Sequence, residues 1–454
     1  MFKKIEIWIL YLTILLSILF AIVFGVLVRQ ELVGSTKAGW ISKTALTLAE
    51  TPIIVKRMLG GPSGDLSLKD RFPSLDGFNG TPNSEESYLL LSRYDGDLQE
   101  GLVELVDLTN FKILHTWNPD IDAFNNLVDQ VDEFRDLEKD NNNSRQILVA
   151  PNLVNNEQLF FGWNSPLMSI DSCSNLITQN THDKFHHSIE TDIDGNIWAP
   201  SHFYPQSLSI DIVGRDLPDD GGYFDDAIVK LSSDGEILFE KSVSQIFIDN
   251  DLKYLLFAHG NDYDRDPIHL NDIQPVNIDG DYWRKGDVFL SIRNQSMVIL
   301  YRPSSNKIIW KGTGPFLHQH DVDILDGHRI SIFNNRSINT NSKFNVIDKH
   351  NEVIIYDFKT NEYSSYLKDS LIEFDVRTIT QGTSQILLNS DLFIEETDHG
   401  RTLYFNADGS LRWTHVNRAK NGKIFMVGWS RILYTQEDIQ TVNNFLTNKG
   451  ICNE

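Results

Sequence analysis

One pattern returns six times between residues 85 and 428: an apolar strand, a turn rich in Asp, Asn, Ser and Gly, and a second strand that often closes on an aromatic residue. The first copy is Val106 to Trp117. Others run Val229 to Phe239, Leu300 to Trp310, Ile355 to Tyr363 and Tyr404 to Trp413, with a degenerate copy at Ser169 to Ile177. Alternation around such turns specifies a β-hairpin. A second hairpin type precedes several of these, as in His187 to Trp198 around Asp194-Gly195, His320 to Ile332 around Asp326-Gly327, and Thr383 to Phe393 around Asn389-Ser390. Two hairpins in succession make a four-stranded blade. An open sheet of so many strands would expose its edges, whereas radial closure protects them. The pattern therefore predicts an all-β fold, a six-bladed β-propeller. At about 57 residues per blade, against roughly 40 to 45 in a compact one, the surplus falls in loops near 119–144, 203–224 and 241–265.

The ends of the chain read differently. From Ile7 to Val28 there are 22 residues without a charge, which at about 1.5 Å each spans roughly the 30 Å of a bilayer's hydrocarbon core. No A-x-A-like cleavage site follows; the run leads straight into Arg29-Gln30-Glu31, as in an uncleaved signal anchor. Lys3 and Lys4 against Glu6 favour a cytoplasmic N-terminus, hence a single-pass membrane protein with its body on the extracytoplasmic (periplasmic or extracellular) side. The expected organisation is an anchor at 1–28, a juxtamembrane helix (Trp40 to Leu59) and linker within 29–84, the propeller at 85–430, and a C-terminal tail at 431–454 whose helix runs from Thr435 to Lys449.

The 40 basic and 63 acidic residues leave a net charge of −23, which argues against a nucleic-acid partner. Cys173 and Cys452 are the only cysteines, too few for a disulfide framework or a cysteine zinc site.

Counted back from the hairpin turns, His187 stands eight residues before Gly195, His320 seven before Gly327, and Thr383 seven before Ser390. Each opens a blade's first hairpin, as does His269 in Ile268-His269-Leu270-Asn271-Asp272. Innermost strands start beside the central channel, so these positions are expected to converge. Arg293 lies seven residues past Gly286, and the matching offset holds His202 and Asn334, a second tier near the same mouth. Three histidines and an arginine facing one void exceed what a structural channel needs. The turn carboxylates Asp192, Asp194, Asp279 and Asp281 have calcium-ligand chemistry, but Asp-Gly is ordinary hairpin chemistry and the better reading. His182, His186, His318, His399 and His415 fall outside the register and are expected on the surface or in loops.

The ordered motifs His187-Ser188-Ile189 with Asp194-Gly195-Asn196, His269-x-Asn271-Asp272, Gly286 to Gln295, Gln319-His320-Asp321 and Gly382-Thr383-Ser384-Gln385 resemble those of arylsulfate sulfotransferases over residues 85 to 430. The resemblance implies transfer of a sulfuryl group from a phenolic sulfate ester to another phenol, through a sulfohistidine and without a nucleotide sulfate donor. It implies His320 as nucleophile, His187, His269 and Arg293 as its catalytic surroundings, and Asn271 and Thr383 as substrate-binding. Independent chemistry agrees: imidazole attacks unprotonated near neutral pH, guanidinium offers a fixed fork to paired oxyanions, and a second histidine can carry the leaving group's proton. No cofactor or metal is implied. The partners are a phenolic sulfate donor, a phenol acceptor and the membrane; nothing here sets the oligomeric state. Two features depart from the family: a signal anchor replaces a cleaved signal and separate N-terminal β-domain, and the cysteines lie far apart, so a bridge between them would tie the C-terminus to the ring.

Two other readings use the same residues. A membrane-tethered propeller could bind a ligand without catalysis, since the fold hosts enzymes and scaffolds alike. A metal-dependent hydrolase would require carboxylates pointing into the channel.

Overall fold

The computed structural model describes residues 6–32, 38–58, 66–129, 131–134, 136–155, 157–208, 223–257, 265–340, 343–450 and 452. Two compact units divide the chain, Met1–Asp65 with Ser209–Tyr223, and Leu66–Leu208 with Phe224–Glu454.

The first unit holds two helices, Ile7–Leu32 and Trp40–Met58. Large apolar side chains of the first, among them Leu10, Leu15 and Phe20, lie exposed; it is long and apolar enough to cross a membrane. The helices meet where Ser42 is buried, its hydroxyl donating to Glu31 at 2.5 Å.

The second unit is an all-β, propeller-like arrangement. Two sheets have four sequential antiparallel strands: Leu270–Pro275 to Lys307–Gly312, and Val322–Ile324 to Glu362–Tyr366. A third adds Gly77–Gly80 to the outer edge of Thr383–Ile386 through Leu411–Val416. The fourth takes its innermost strand, Arg431–Leu433, from the far end of the chain and pairs it with Tyr88–Asp95. Ser337–Thr340 pairs separately with Lys343–Val346, and the strands from Asn152–Val154 to Ile237–Ser242 form one eight-stranded sheet. Its two halves join where the long strand Leu176–Phe185 meets Ser201 and His202. All six recurrent hairpins of the sequence are antiparallel pairs. Strands such as Val288–Ile292 and Arg401–Phe405 are buried along their whole length, because each sheet is covered on both faces. One core, for example, joins Phe289, Val298 and Leu300 of one sheet to Ile330, Ile332 and Ile354 of the next.

Neighbouring sheets are also tied by polar side chains near the axis. Ser188 Oγ accepts the Ile273 N–H at 3.2 Å, Asp272 the Val322 N–H at 3.0 Å, and Asp321 the Ser384 N–H at 2.9 Å. Glu395, fully buried, accepts the N–H groups of Trp429 and Ser430 at 2.6 and 2.7 Å. The C-terminal helix Gln436–Asn448 starts on a Thr435–Asp438 capping box and packs Phe445 against Trp117. Beyond it Cys452 is bonded to Cys173. The sheet region begins ahead of residue 85, since Gly77–Gly80 supplies an edge strand and Leu68 bridges to Ile424. Two histidines expected at the surface are buried, His186 at 3% exposure and His415 at 7%. His415 lies on an outer strand that Gly77–Gly80 covers, and His186 donates its backbone N–H to Pro200 at the channel.

Replacing Glu395 with alanine strands two buried N–H groups, a loss of about 3 kcal/mol or more. The expected result is a lowered thermal midpoint of the full chain in detergent; an unchanged midpoint would show that the carboxylate does not hold the closing segment.

Candidate functional site

A cavity of about 740 Å³ opens at one end of the channel, lined by His186, His187, His202, His269 and Arg293 with Trp163 and Phe224. Loops over-long in the sequence contribute Asp136, Leu137, Asp140 and Asn141 to its wall. Three of the four residues expected to be catalytic therefore face one space. His187 lies with its ring 5.3 Å from that of His269 and 6.1 Å from that of His320. His187 and His269 both adopt left-handed backbone conformations, at φ of 60° and 52°, which non-glycine residues seldom take and which concentrate at functional sites. The His269 Nδ1 lies 2.5 Å from the Asp266 carboxylate, an orientation suited to carrying a proton.

His320 does not line the cavity. It is fully buried one layer behind His187, with Trp429 packed against both rings at 5.8 and 6.2 Å. Its tautomer follows from its neighbour. Asn335 gives its amide N–H groups to Gln381 and Thr378 carbonyls, so its Oδ1, 2.7 Å away, must accept from His320 Nδ1. The lone pair is then on Nε2, which is buried and makes no well-aligned hydrogen bond among the described residues, with the Thr380 backbone also close to the ring. Burial, and next the Arg293 cation, hold the His320 imidazole well below its usual pKa. His187 is pushed down in the same way by burial and then by His186.

Hydrogen-bond register corrects the count of equivalent positions. The turn-closing bonds Asp192 to Asn196, Leu325 to Arg329 and Leu387 to Asp391 align Gly195 with His328 and Ser390. Eight residues back stand His187, His320 and Gly382. Thr383 is therefore one residue out of step, and in a strand one residue turns a side chain to the other face. Its hydroxyl donates to Asp321 at 2.7 Å and lines a separate cavity of about 60 Å³ with Glu190 and Arg431. Asn334 is displaced by the same single step. It is fully buried and accepts the Leu317 N–H at 2.8 Å and the Arg336 N–H at 3.1 Å, while Asn335 next to it reaches His320. Asn271 is fully buried, donating to the Gln319 carbonyl at 3.0 Å. His202 faces the cavity with its ring 4.3 Å from that of His186, and both lie beside Asp226.

The profile of the Arylsulfotransferase (ASST) family matches residues 150–418, more than half of the sequence and a span that holds His187, His202, His269, Asn271, Arg293, His320, Asn334 and Thr383. The chain belongs to the arylsulfotransferase family. No curated protein matches the sequence. Among solved structures, a protein of unknown function from Bacteroides caccae aligns at TM-score 0.47 and 11% identity, covering 77% of this chain and 99% of that one. Virginiamycin B lyase from Staphylococcus aureus aligns at 0.33 and 8%, covering 59% and 70%. The WD40 β-propeller domain of Doa1 aligns at 0.36 and 12%, covering 82% and 95%. These likenesses are too distant to carry a functional argument.

Sequence reasoning about this arylsulfotransferase missed Asn335, Asp226 and the placement of His186. The doublets Asn334-Asn335 and His186-His187 were the available signals: Asn335 reaches His320, and the left-handed backbone at His187 lets both of its pair line the cavity. The native state leaves His320 uncharged as pH falls below its ordinary pKa of about 6.5, while the unfolded chain takes up the proton. Wild type should accordingly lose stability relative to His320→Asn between about pH 6.5 and about pH 5, approaching about 1.4 kcal/mol per pH unit. Denaturant titrations of both proteins at several pH values test this; a pH-independent gap would mean that His320 is charged in the fold.

Proposed function

We propose that this arylsulfotransferase is membrane-anchored and moves a sulfuryl group between phenols through a sulfohistidine at His320. The observation that carries the reading is the Asn335 contact that leaves the His320 Nε2 lone pair bare, one layer behind a cavity faced by His187, His269 and Arg293. Trp163 and Phe224 offer flat apolar walls to an aryl ring. In the first half-reaction Nε2 attacks sulfur, the ester S–O bond breaks, and the phenolate takes a proton from the His269 imidazolium. In the second an incoming phenol returns that proton to His269 and its oxygen takes the sulfuryl group, breaking the N–S bond. Arg293 faces the non-bridging oxygens, whose charge a planar fork can meet in pairs. Asn271 stands beside His320 in the ring of inner strands, and His202, at the cavity wall, belongs to its substrate-binding surround. Thr383 and Asn334 act on the site through Asp321 and the backbone around His318.

The fold and location proposed with this function are a six-bladed propeller, counting the eight-stranded sheet as two blades, and an uncleaved anchor at Ile7–Leu32. The body is placed on the extracytoplasmic side. The Cys173–Cys452 bond supports that side, because disulfides persist in oxidising compartments.

Incubation with an aryl sulfate and no acceptor should leave about one sulfuryl group per chain on the peptide containing His318 and His320, in an acid-labile bond. His320→Asn should abolish labelling and turnover together, whereas His318→Asn should change either only a few-fold. Label persisting in His320→Asn moves the nucleophile to His269, which is closer to the cavity surface. Turnover without any label refutes the covalent route, and the absence of both favours a binding propeller.

Arg293→Lys should lower turnover strongly with the fold intact, because an ammonium cannot reproduce the guanidinium fork. Near-normal activity would place Arg293 outside the transfer site.

A further inference from the structure

Beside the proposed transfer residues, three polar atoms converge on one point. His186 Nε2 lies 3.4 Å from Asp226 Oδ1, and His202 Nδ1 lies 3.0 Å from the same oxygen. All three atoms lie within 4.8 Å of one another. Each is buried, and a single carboxylate oxygen is shared at ion-pair distance by two imidazole nitrogens that have no other partner among the described residues. Buried polar atoms are seldom left so. A divalent ion of the zinc class takes nitrogen at about 2.0–2.1 Å and carboxylate oxygen at about 2.0–2.2 Å, which in tetrahedral geometry sets ligand atoms about 3.4 Å apart. The observed spacing is close to that.

We propose that His186, His202 and Asp226 bind one divalent cation of the zinc class at the wall of the 740 Å³ cavity. The supporting contacts suit a metal site. Asp226 Oδ2 is fixed by the Leu270 N–H at 2.9 Å, leaving Oδ1 for the ion. His186 Nδ1 lies 2.7 Å from His187 Nδ1. One of these nitrogens must donate, and an ion on His186 Nε2 decides which: the His186 proton is on Nδ1, His187 accepts it, and the remaining His187 proton is on Nε2. The carboxylate that a metal reading required is thus present, on a strand the turn count never reached. His186 and His202 both belong to the cavity wall, so a water or an anion completing the ion's coordination would reach it from the cavity side, as in a reactive rather than a structural zinc site. This last point rests on the sulfuryl-transfer reading: the ion adds positive charge to that of Arg293, and a hydrogen-bond donor at His187, where a sulfate group would sit.

Full-length protein purified in detergent, stripped with a chelator and titrated with Zn²⁺ alone should bind about one equivalent per chain. Co²⁺ should give the visible d–d absorption of a low-coordinate nitrogen and oxygen site. His202→Ala and Asp226→Asn, checked for folding by circular dichroism, should each weaken Zn²⁺ binding by at least about tenfold. His182→Ala, in the separate group with Asp183 and Glu240, should leave it unchanged. Failure of folded wild type to bind either ion overturns the site, as does full binding in both cavity variants or loss confined to His182→Ala. Metal binding is read without turnover, so a protein that holds zinc but transfers no sulfuryl group refutes only the transfer reading.

Discussion

A short polar side chain at the start of three successive inner strands accepts a backbone N–H of the next sheet, and the geometry of the channel depends on that contact. Ser188, Asp272 and Asp321 do this in succession, and the first two recipients, Ile273 and Val322, each lie one residue past the next acceptor. The contact sets the height of one sheet against its neighbour. A hydrophobic interface alone would tolerate sliding, because burial is not directional; a carboxylate facing one amide does not. The residues just before the acceptors, His187, Asn271 and His320, are thereby held at one level.

The same level separates two electrostatic environments. On one side lie Arg293 and the buried imidazoles of His187 and His320, both held well below their usual pKa by burial; on the other lie Asp321, Asp323 and Glu190, with Arg431 held by Glu190 at 2.6 Å. Burial and the neighbouring acids push Asp272 and Asp323 well above the usual carboxylate range. The two ends of the channel therefore differ in chemistry, histidines with Arg293 at one and a cluster of carboxylates with Arg431 at the other.

The hairpins were readable because their signals are local: alternation and turn chemistry lie within a dozen residues, and the capping box at Thr435 lies within four. The convergence of His187, His269 and Arg293 was readable because repetition turns sequence offsets into spatial ones. Single-residue steps were not. His328, not Gly327, occupies the turn position equivalent to Gly195, and that one step moved Thr383 from the histidine cavity to the acidic one. Asp226 was invisible for another reason. It stands at the start of a strand whose neighbours across the sheet are not adjacent in sequence, so only the pairing of Ile197–His202 with Asp226–Leu231 brings it to His202. The strand Gly77–Gly80 carries two glycines in four residues and no apolar alternation; it is a strand because the edge of Leu411–Val416 needs a partner.

The strand Arg431–Leu433 completes the sheet that Tyr88–Asp95 begins, and the contact between Ser92 and Ser430 spans 338 residues of chain. Such a closure cannot be made early. During synthesis the first sheet must wait with an unpaired inner edge until nearly every other strand has emerged, and contacts this remote in sequence form slowly. A chain cut anywhere before Arg431 keeps that edge open, a template for pairing with a second molecule. The C-terminal helix and the bond from Cys452 to Cys173 follow the closing strand directly and seal it after the event, so the order in which the chain is made is also the order in which its ring is locked.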